Sequence, residues 1–340
     1  MVDTVVLDGI DRRIIHALRI DGRVPFRAVA EVIGVSEQTI ARRYRRLRAS
    51  GVVRVVGAVN GPRIGRVSWT LRLRCTPDAA EPIGTALARR DDVFWVHLLS
   101  GGTEISCNTQ AHSDDERDAL LLEKLPRTRR VLGMSAHAVL HGYTWPGAWR
   151  AAAALTADQV ARLRPSGMPA GPDALAEPTA DGAGPVTGDA AAPATLTEGD
   201  PALLATLARN GRAGYGELAA ATGWSPSTVR RRLIGLRRTG VLTFPLDLPP
   251  AALGFPVEAR LWMSVRPSAV DAVGAALAGH EEVSFAASTT GPTNVLAVVH
   301  CRTPHDLHRY LSERIAALHG VHAVETAPVI RTLKGAGPSA

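Results

Sequence analysis

Asp11–Val53 reads DRRIIHALRIDGRVPFRAVAEVIGVSEQTIARRYRRLRASGVV, and Asp200–Leu242 reads DPALLATLARNGRAGYGELAAATGWSPSTVRRRLIGLRRTGVL. Laid over each other without a gap, they share Leu18 with Leu207, Gly22-Arg23 with Gly211-Arg212, Ala30 with Ala219 and Gly34 with Gly223. Ser36 then falls on Ser225, Thr39 on Thr228, Arg42-Arg43 on Arg231-Arg232, Leu47-Arg48 on Leu236-Arg237 and Gly51-Val52 on Gly240-Val241. Agreement sustained over such a run marks an internal repeat, and a repeat sets the architecture before any element is assigned.

Within the first copy, Asp8 is placed to cap a helix carrying Ile10, Ile14, Ile15 and Leu18 at helical spacing, ended by Gly22. A short second helix runs from about Phe26 to Ile33, with Gly34 at the turn. Ser36 offers a hydroxyl cap to a third helix whose inward positions are Ile40, Tyr44 and Leu47. That stripe leaves Gln38, Ala41, Arg42 and Arg45 pointing outward and Thr39, Arg43 and Arg46 on the flanks. In the second copy Ser225 caps, Val229, Leu233 and Leu236 face inward, and Ser227, Thr228, Arg230, Arg231, Arg232 and Arg238 are exposed. Three helices ending in a basic one, followed by a β-prone stretch from Val52 to Val59, form a winged helix-turn-helix pattern. An isolated arginine run is usually a solvated helix face, but the same face in the same place of two copies points to the DNA major groove.

One residue of shift later the repeat resumes, with Leu71 over Leu261, Pro77 over Pro267, Gly84 over Gly274, Gly101 over Gly291 and Val139 over Val329. Val67 to Cys75 alternates as a strand, Asp78 to Arg90 has helical spacing, and Val93 to Leu99 is apolar and β-prone. Gly101-Gly102 makes a turn, Glu104 to Thr109 is a strand, Asp114 to Leu125 a helix and Val131 to Leu140 a last strand. The order βαββαβ is the ferredoxin-like motif, and Val257 to Ile330 reads the same way. The fold class expected is α+β, with two winged helix-turn-helix domains (5–60 and 197–248) alternating with two ferredoxin-like domains (66–150 and 256–333). Between the units, 151–196 holds a short helix, with a capping-box spacing at Thr156-Ala157-Asp158-Gln159. A Pro, Gly and Ala-rich stretch from Pro165 to Pro193 follows and reads as a flexible linker.

Composition narrows the class. In 340 residues, Lys and Arg number 39 against 32 acidic residues, for a net charge of +7 that suits a polyanion partner. Apolar runs fall well short of the ~20 residues a membrane span needs. Met1-Val2-Asp3 lacks the basic region of an export signal, so the chain is expected to be cytoplasmic. Cys75, Cys107 and Cys301 show no Cys-x-x-Cys spacing, which excludes a zinc ribbon and predicts buried or inert thiols. His305 with His308, and His319 with His322, sit three apart, but a metal site needs more ligands. No phosphate loop, Ser-His-Asp order or paired catalytic carboxylates stand out. No metal, cofactor or enzymatic activity is expected.

Leu7-Asp8, Asp11, Ile14-Ile15, Leu18, Asp21-Gly22-Arg23, Ala30, Gly34, Ser36, Arg43, Leu47 and Gly51-Val52-Val53 together resemble the signature of the Lrp/AsnC regulators. With the βαββαβ halves, of the RAM ligand-binding type in that family, the resemblance covers nearly all of the chain except the linker. It departs in being tandem, since the usual member has one unit. The resemblance implies a transcription regulator that binds double-stranded DNA through Ser36, Gln38, Thr39, Arg42, Arg43 and Arg46, and through Ser225, Ser227, Thr228, Arg231 and Arg232. It also implies association through the sensor domains, as a homo-oligomer or an intramolecular pseudo-dimer, and an amino-acid-like effector.

Effector sites of the family use the turn between the second and third sensor strands, a Gly followed by a spacer and an Asp. The matching positions are Gly101, Thr103 and Glu104, and Gly291, Thr293 and Asn294. Neither copy keeps the Asp; Glu104 retains a carboxylate and Asn294 does not, so the second site is expected to be altered or vacant. The same glycines serve equally as plain hairpin turns, and the residues leave both roles open. An enzymatic alternative comes from siroheme decarboxylases, which look similar to this family, also occur paired or fused, and depend on histidines near these strands. His97 and His112 lie there, but Val93 to Ser106 lacks a His-Asn-Tyr-like run. A third possibility, a helix-turn-helix kept only as a protein-binding surface, is disfavoured by the arginines retained on both third helices.

Overall fold

A computed structural model describes residues 6–111, 113–144, 149–164 and 194–336. The linker expected at Pro165 to Pro193, and His112, lie outside the described residues.

The first three helices form where their caps and stripes place them: α1 (Gly9–Ile20), α2 (Phe26–Ile33) and α3 (Glu37–Ala49). Asp8 and Asp11 close a capping box on α1, with the Asp11 amide donating to the Asp8 carboxylate at 2.9 Å. Gly34 ends α2 at φ +80°, a left-handed position that only glycine takes without strain. The Ser36 hydroxyl caps α3 by accepting from the Thr39 amide, and α3 buries Ile40, Tyr44 and Leu47. Two short strands follow, β1 (Arg54–Val55) and β2 (Ala58–Val59).

The sensor half of the first unit is β3 (Trp69–Cys75), α4 (Ala80–Ala88), β4 (Val93–Leu99), β5 (Glu104–Thr109), α5 (Asp114–Asp118) and β6 (Val131–Thr144), then α6 (Ala157–Leu163). The helix expected from Asp114 to Leu125 forms in two parts, α5 and then a π turn over Ala119–Lys124. Thr156 and Gln159 make the capping box of α6, which lies back on the first unit with its Gln159 amide donating to the Val32 carbonyl at 3.1 Å.

The second unit repeats the series as α7 (Asp200–Arg209), α8 (Tyr215–Thr222), α9 (Pro226–Arg238), β7 (Leu242–Thr243), β8 (Leu246–Asp247), β9 (Val257–Val265), α10 (Val270–Ala278), β10 (Val283–Thr289), β11 (Val295–Cys301), α11 (Pro304–Arg309) and β12 (Val321–Lys334). A π turn again follows the last helix, over Tyr310–Ile315.

The two units are not beads on a string. The β-prone segments after the third helices pair with each other across the repeat, β1 with β8 and β2 with β7, both antiparallel. The six helices thereby share one hydrophobic core, in which Ile14, Ile15, Leu18 and Leu47 meet Leu203, Leu207, Val229 and Leu236.

The sensor sheets do the same. Each has the ferredoxin-like strand order, β4-β5-β3-β6 and β10-β11-β9-β12, and their edges join through β12 with β4 and β10 with β6 to close an eight-stranded barrel. This explains why β6 runs on to Thr144, beyond the Leu140 expected from its own apolar pattern: Val139 to Thr144 pair with β10 of the other unit. Closure leaves none of these eight strands with a free edge. Outside it, the helices cover a core for each unit. Inside it lies a separate core of Leu99, Trp262, Phe285, Ala287, Leu296, Val298 and Ala327, drawn from both.

Gly22 shows what pattern reading misses. The cap of α1 is Asp21, and Gly22 has no helix-ending role; a Cβ there would lie 2.4 Å from the Phe244 carbonyl oxygen of the other unit. Gly211, its counterpart, would place a Cβ 2.8 Å from Val55. Both glycines exist to let the two units touch.

Candidate nucleic-acid interface and effector turns

Pairing of the two units fixes α3 and α9 in one rigid block. Arg23 reaches across to donate to the Gly211 and Ala213 carbonyls at 2.7 and 3.0 Å. Arg212 returns the contact to Gly22 and Val24 at 2.6 and 3.0 Å. Each guanidinium also lies over the other unit's rings, Arg212 at 4.2 Å from the Phe26 centroid and Arg23 at 5.4 Å from that of Phe244. Asp21 adds an ion pair to Arg237 at 2.9 Å.

On the outer surface of this block, Gln38, Arg42, Arg45, Arg46 and Arg48 are exposed on α3, and Ser227, Arg230, Arg231 and Arg238 on α9. The side chains of Arg42, Arg48, Arg230, Arg231 and Arg238 form no hydrogen bond or ion pair among the described residues. Ser36 and Ser225 are engaged as caps, their hydroxyls within 2.9 Å of the Thr39 and Thr228 hydroxyls, and Ser227 lies 2.9 Å from Ser225.

Arg43 and Arg232 stand apart from the rest of the expected DNA face. Arg43 donates to Asp8 at 2.6 Å and to Asp11 at 3.0 Å, and Arg46 also pairs with Asp11. Arg232 grips Asp200 with Nε at 2.7 Å and with Nη2, and reaches the Thr195 carbonyl at 3.2 Å. Asp11 and Asp200 are fully buried, at equivalent places in the first turns of α1 and α7. The guanidiniums are thus turned inward to neutralise buried carboxylates, a cause that no helical wheel of α3 or α9 shows. Burial alone would raise the Asp200 carboxyl, but its hydrogen bonds from Arg232 and Thr197 outweigh that and hold it below the ordinary range.

The effector turns differ between copies in what their side chains already do. In the first, Ser100, Gly101 and Gly102 are all left-handed, with φ of 50°, 75° and 82°, and both glycines face open space. The Thr103 hydroxyl donates to the Ser100 carbonyl at 3.3 Å. Glu104 is buried and bound by Arg72, whose guanidinium also pairs with Glu325 of the other unit and lies 4.2 Å from the Trp262 centroid. Its carboxylate is therefore committed across the barrel.

In the second copy, Asn294 exchanges two 2.8 Å hydrogen bonds with the backbone of Val265. A Cβ on Gly291 (φ +100°) would lie 2.3 Å from the His137 ring, and the Thr293 carbonyl accepts from the Thr289 hydroxyl at 3.1 Å. This turn serves the joint between units.

The expected inert thiols are buried and unpaired, and burial raises Cys107 to about 12 and Cys301 to about 11. Sequence reasoning missed a group of polar side chains inside the barrel. His97 lies there, its Nδ1 3.1 Å from the Thr332 hydroxyl, and His300 lies 2.7 Å from the Ser284 hydroxyl. Burial, reinforced by the Arg260 charge, lowers His300 to about 3 and holds His97 well below its usual range.

Both rings are neutral in the fold, whereas in the unfolded chain they protonate near 6.5. Below that pH the unfolded state binds the extra proton, so stability is whole above pH 6.5 and declines as the pH falls towards 3. The decline should reach roughly tenfold in the folding equilibrium per imidazole per pH unit. Thermal melts between about pH 6 and 4 should accordingly be flatter for His300→Gln than for the parent; equal slopes would show that His300 does not remain neutral in the fold.

Comparison with known proteins bears on the whole arrangement. The AsnC-type helix-turn-helix domain matches twice, at residues 7–48 and 196–237, and the Lrp/AsnC ligand binding domain matches residues 258–338. HTH-type transcriptional regulator FL11 of Pyrococcus furiosus is 46% identical over 139 residues, covering 39% of this chain and 92% of that protein. The chain belongs to the Lrp/AsnC family. Regulatory protein AsnC of Escherichia coli K12 is 30% identical over 146 residues, covering 40% of this chain and 93% of its own length. Each of these Lrp/AsnC relatives is therefore matched along almost its full length by less than half of this chain. Over the whole chain the fold is similar to that of the siroheme decarboxylase NirDL, at a TM-score of 0.60 and 15% identity, covering 96% of this chain and 93% of that one.

Proposed function

We propose that the protein is a DNA-binding transcription regulator that carries two operator readers in one polypeptide. The observation that carries this is the pair of exposed arginine faces on α3 and α9, on helices locked into one core, where the side chains of Arg42, Arg48, Arg230, Arg231 and Arg238 have no partner among the described residues. Helix-turn-helix dimers set two recognition helices on one duplex by symmetry; here the interlocked Arg23 and Arg212 do so within a single chain. The names of the FL11 and AsnC relatives, a transcriptional regulator and a regulatory protein, support the same reading.

These exposed arginines make binding strongly electrostatic. Affinity for DNA taken from upstream of the protein's own gene should fall linearly with salt on logarithmic axes, by about 10³-fold between roughly 50 and 200 mM if six or so phosphates are neutralised. Fluorescence anisotropy titrations check it; a flat response would mean that DNA is not the partner.

An amino-acid-like effector at Gly101 to Glu104 belongs to this proposal through the family resemblance, with Gly101 and Gly102 open and Glu104 acting through its contact with Arg72. For the second turn, Gly291, Thr293 and Asn294, we propose a scaffolding role. We also infer that the chain is not an enzyme. The decarboxylase of similar fold shares the architecture at low identity, and the one described histidine expected on such strands, His97, is 2% exposed and hydrogen-bonded to Thr332.

A further inference from the structure

Inside the barrel, β9 turns Glu258 and Arg260 to the interior, two residues apart on one face. Arg260 is 5% exposed, its Nε has no partner, and its side chain forms no hydrogen bond or ion pair among the described residues. His97 Nε2 and His300 Nδ1 are likewise buried without a partner. The groups lie together inside the barrel. His97 Nδ1 lies 3.9 Å from Glu258 Oε1, and the Arg260 charge acts on both imidazoles. Buried polar atoms nearly always find partners, so a guanidinium and two ring nitrogens left over at one place call for a reason.

The other copy of the repeat does not carry them. On the opposite wall of the barrel stand the equivalent residues of the repeat, with Thr70 in place of Arg260, Ser68 of Glu258, Gln110 of His300 and Ala287 of His97. None of those four residues is charged, and Gln110 donates to Ser68 at 2.7 Å. The charges at Glu258 and Arg260 are therefore not imposed by the repeat, and duplication within one chain has left the two walls free to differ. One member of the group, His300, also borders the surface. His300 forms part of the wall of a surface cleft of about 320 Å³, with Phe255, Glu282, Arg302, Tyr310 and Arg314 around it. On the other side its ring rests 4.7 Å from Trp149, which belongs to the helical core.

We propose that this part of the barrel is a binding site for a small carboxylate, whose oxygens take the free donors of Arg260, His97 and His300. A planar guanidinium with a free Nε–H matches a carboxylate in shape and charge. An eight-stranded barrel is of the width that holds side chains or one small ligand. The Glu258 side chain has no hydrogen bond among the described residues and stands beside the Arg260 charge, where it would receive an ammonium group on the same ligand. Through the contact of His300 with Trp149, occupancy reaches the DNA-binding block; that last consequence rests on the regulator reading, whereas binding itself does not.

The test uses the intact chain without DNA. Melting temperature and calorimetric binding are measured with individual α-amino acids and with the matching 2-oxo acids. At least one such compound should bind and raise the melting temperature, and Arg260→Met should weaken it by roughly tenfold to a hundredfold. Loss of the response in Glu258→Gln marks the ligand as an amino acid; retention marks it as a plain carboxylate. Both support the site.

Without ligand, Arg260→Met should melt no lower than the parent, because it removes a buried charge that has no partner. If that variant is impaired, the double variant Glu258→Gln, Arg260→Met decides: stability restored supports the site, and stability still lost makes Arg260 a structural strut and overturns it. Binding that survives Arg260→Met, or no binding by any compound of either set, also overturns it. DNA affinity measured in parallel stays intact in those cases if only this inference fails.

Discussion

The double variant Arg42→Ala, Arg231→Ala is expected to lose on the order of 100-fold or more in affinity for its operator while melting at the temperature of the parent. Arg42 and Arg231 are equivalent residues, one on each recognition helix, exposed and with no side-chain partner among the described residues. A good arginine contact to a base is worth about 1–3 kcal/mol, and one is removed from each half of the reader. Nothing in the fold depends on either side chain, so circular dichroism melts should superimpose. Anisotropy titrations on DNA upstream of the protein's own gene give the affinity. Unchanged binding would show that these faces are not the readers.

Arg232→Ala is expected to have a comparably large effect of a different kind, lowering the stability of the fold by about 3–5 kcal/mol, the usual consequence of leaving a buried carboxylate without its partner. Asp200 is fully buried and its remaining donors come from Thr197 alone. Because its folded pKa is depressed, the stability it contributes is present above the ordinary carboxylate range and is lost as the pH falls through its folded value. In acid the difference between parent and variant should therefore shrink. Asp200→Asn combined with Arg232→Ala should recover much of the loss, which urea titration at neutral pH can read. Arg43→Ala should cost less, since Asp11 keeps Arg46. A stable Arg232→Ala that binds DNA poorly would instead assign Arg232 to the interface.

Arg231 and Arg232, neighbours on α9, separate what periodicity reveals from what it cannot. The stripe of Val229, Leu233 and Leu236 shows which side of α9 is core. It does not show that Asp200 waits beneath the flank, because that carboxylate comes from another helix and from a different part of the chain.

Repetition, helical period, caps at Ser36 and Ser225 and the βαββαβ order were all legible in the amino-acid sequence by itself, and they carry the domain types and the basic helices. They are local properties, set within a few residues by backbone geometry and apolar spacing. The tertiary structure alone decided how the two copies combine: Gly22 and Gly211 at the contact, short strands paired across the repeat, sheets closed into a barrel, and Glu104 and Asn294 drawn into that closure. It also alone decided which arginines are free and that Arg260, His97 and His300 meet. Each of these depends on groups far apart in the chain, whose desolvation and pairing exist only once both units have folded against each other.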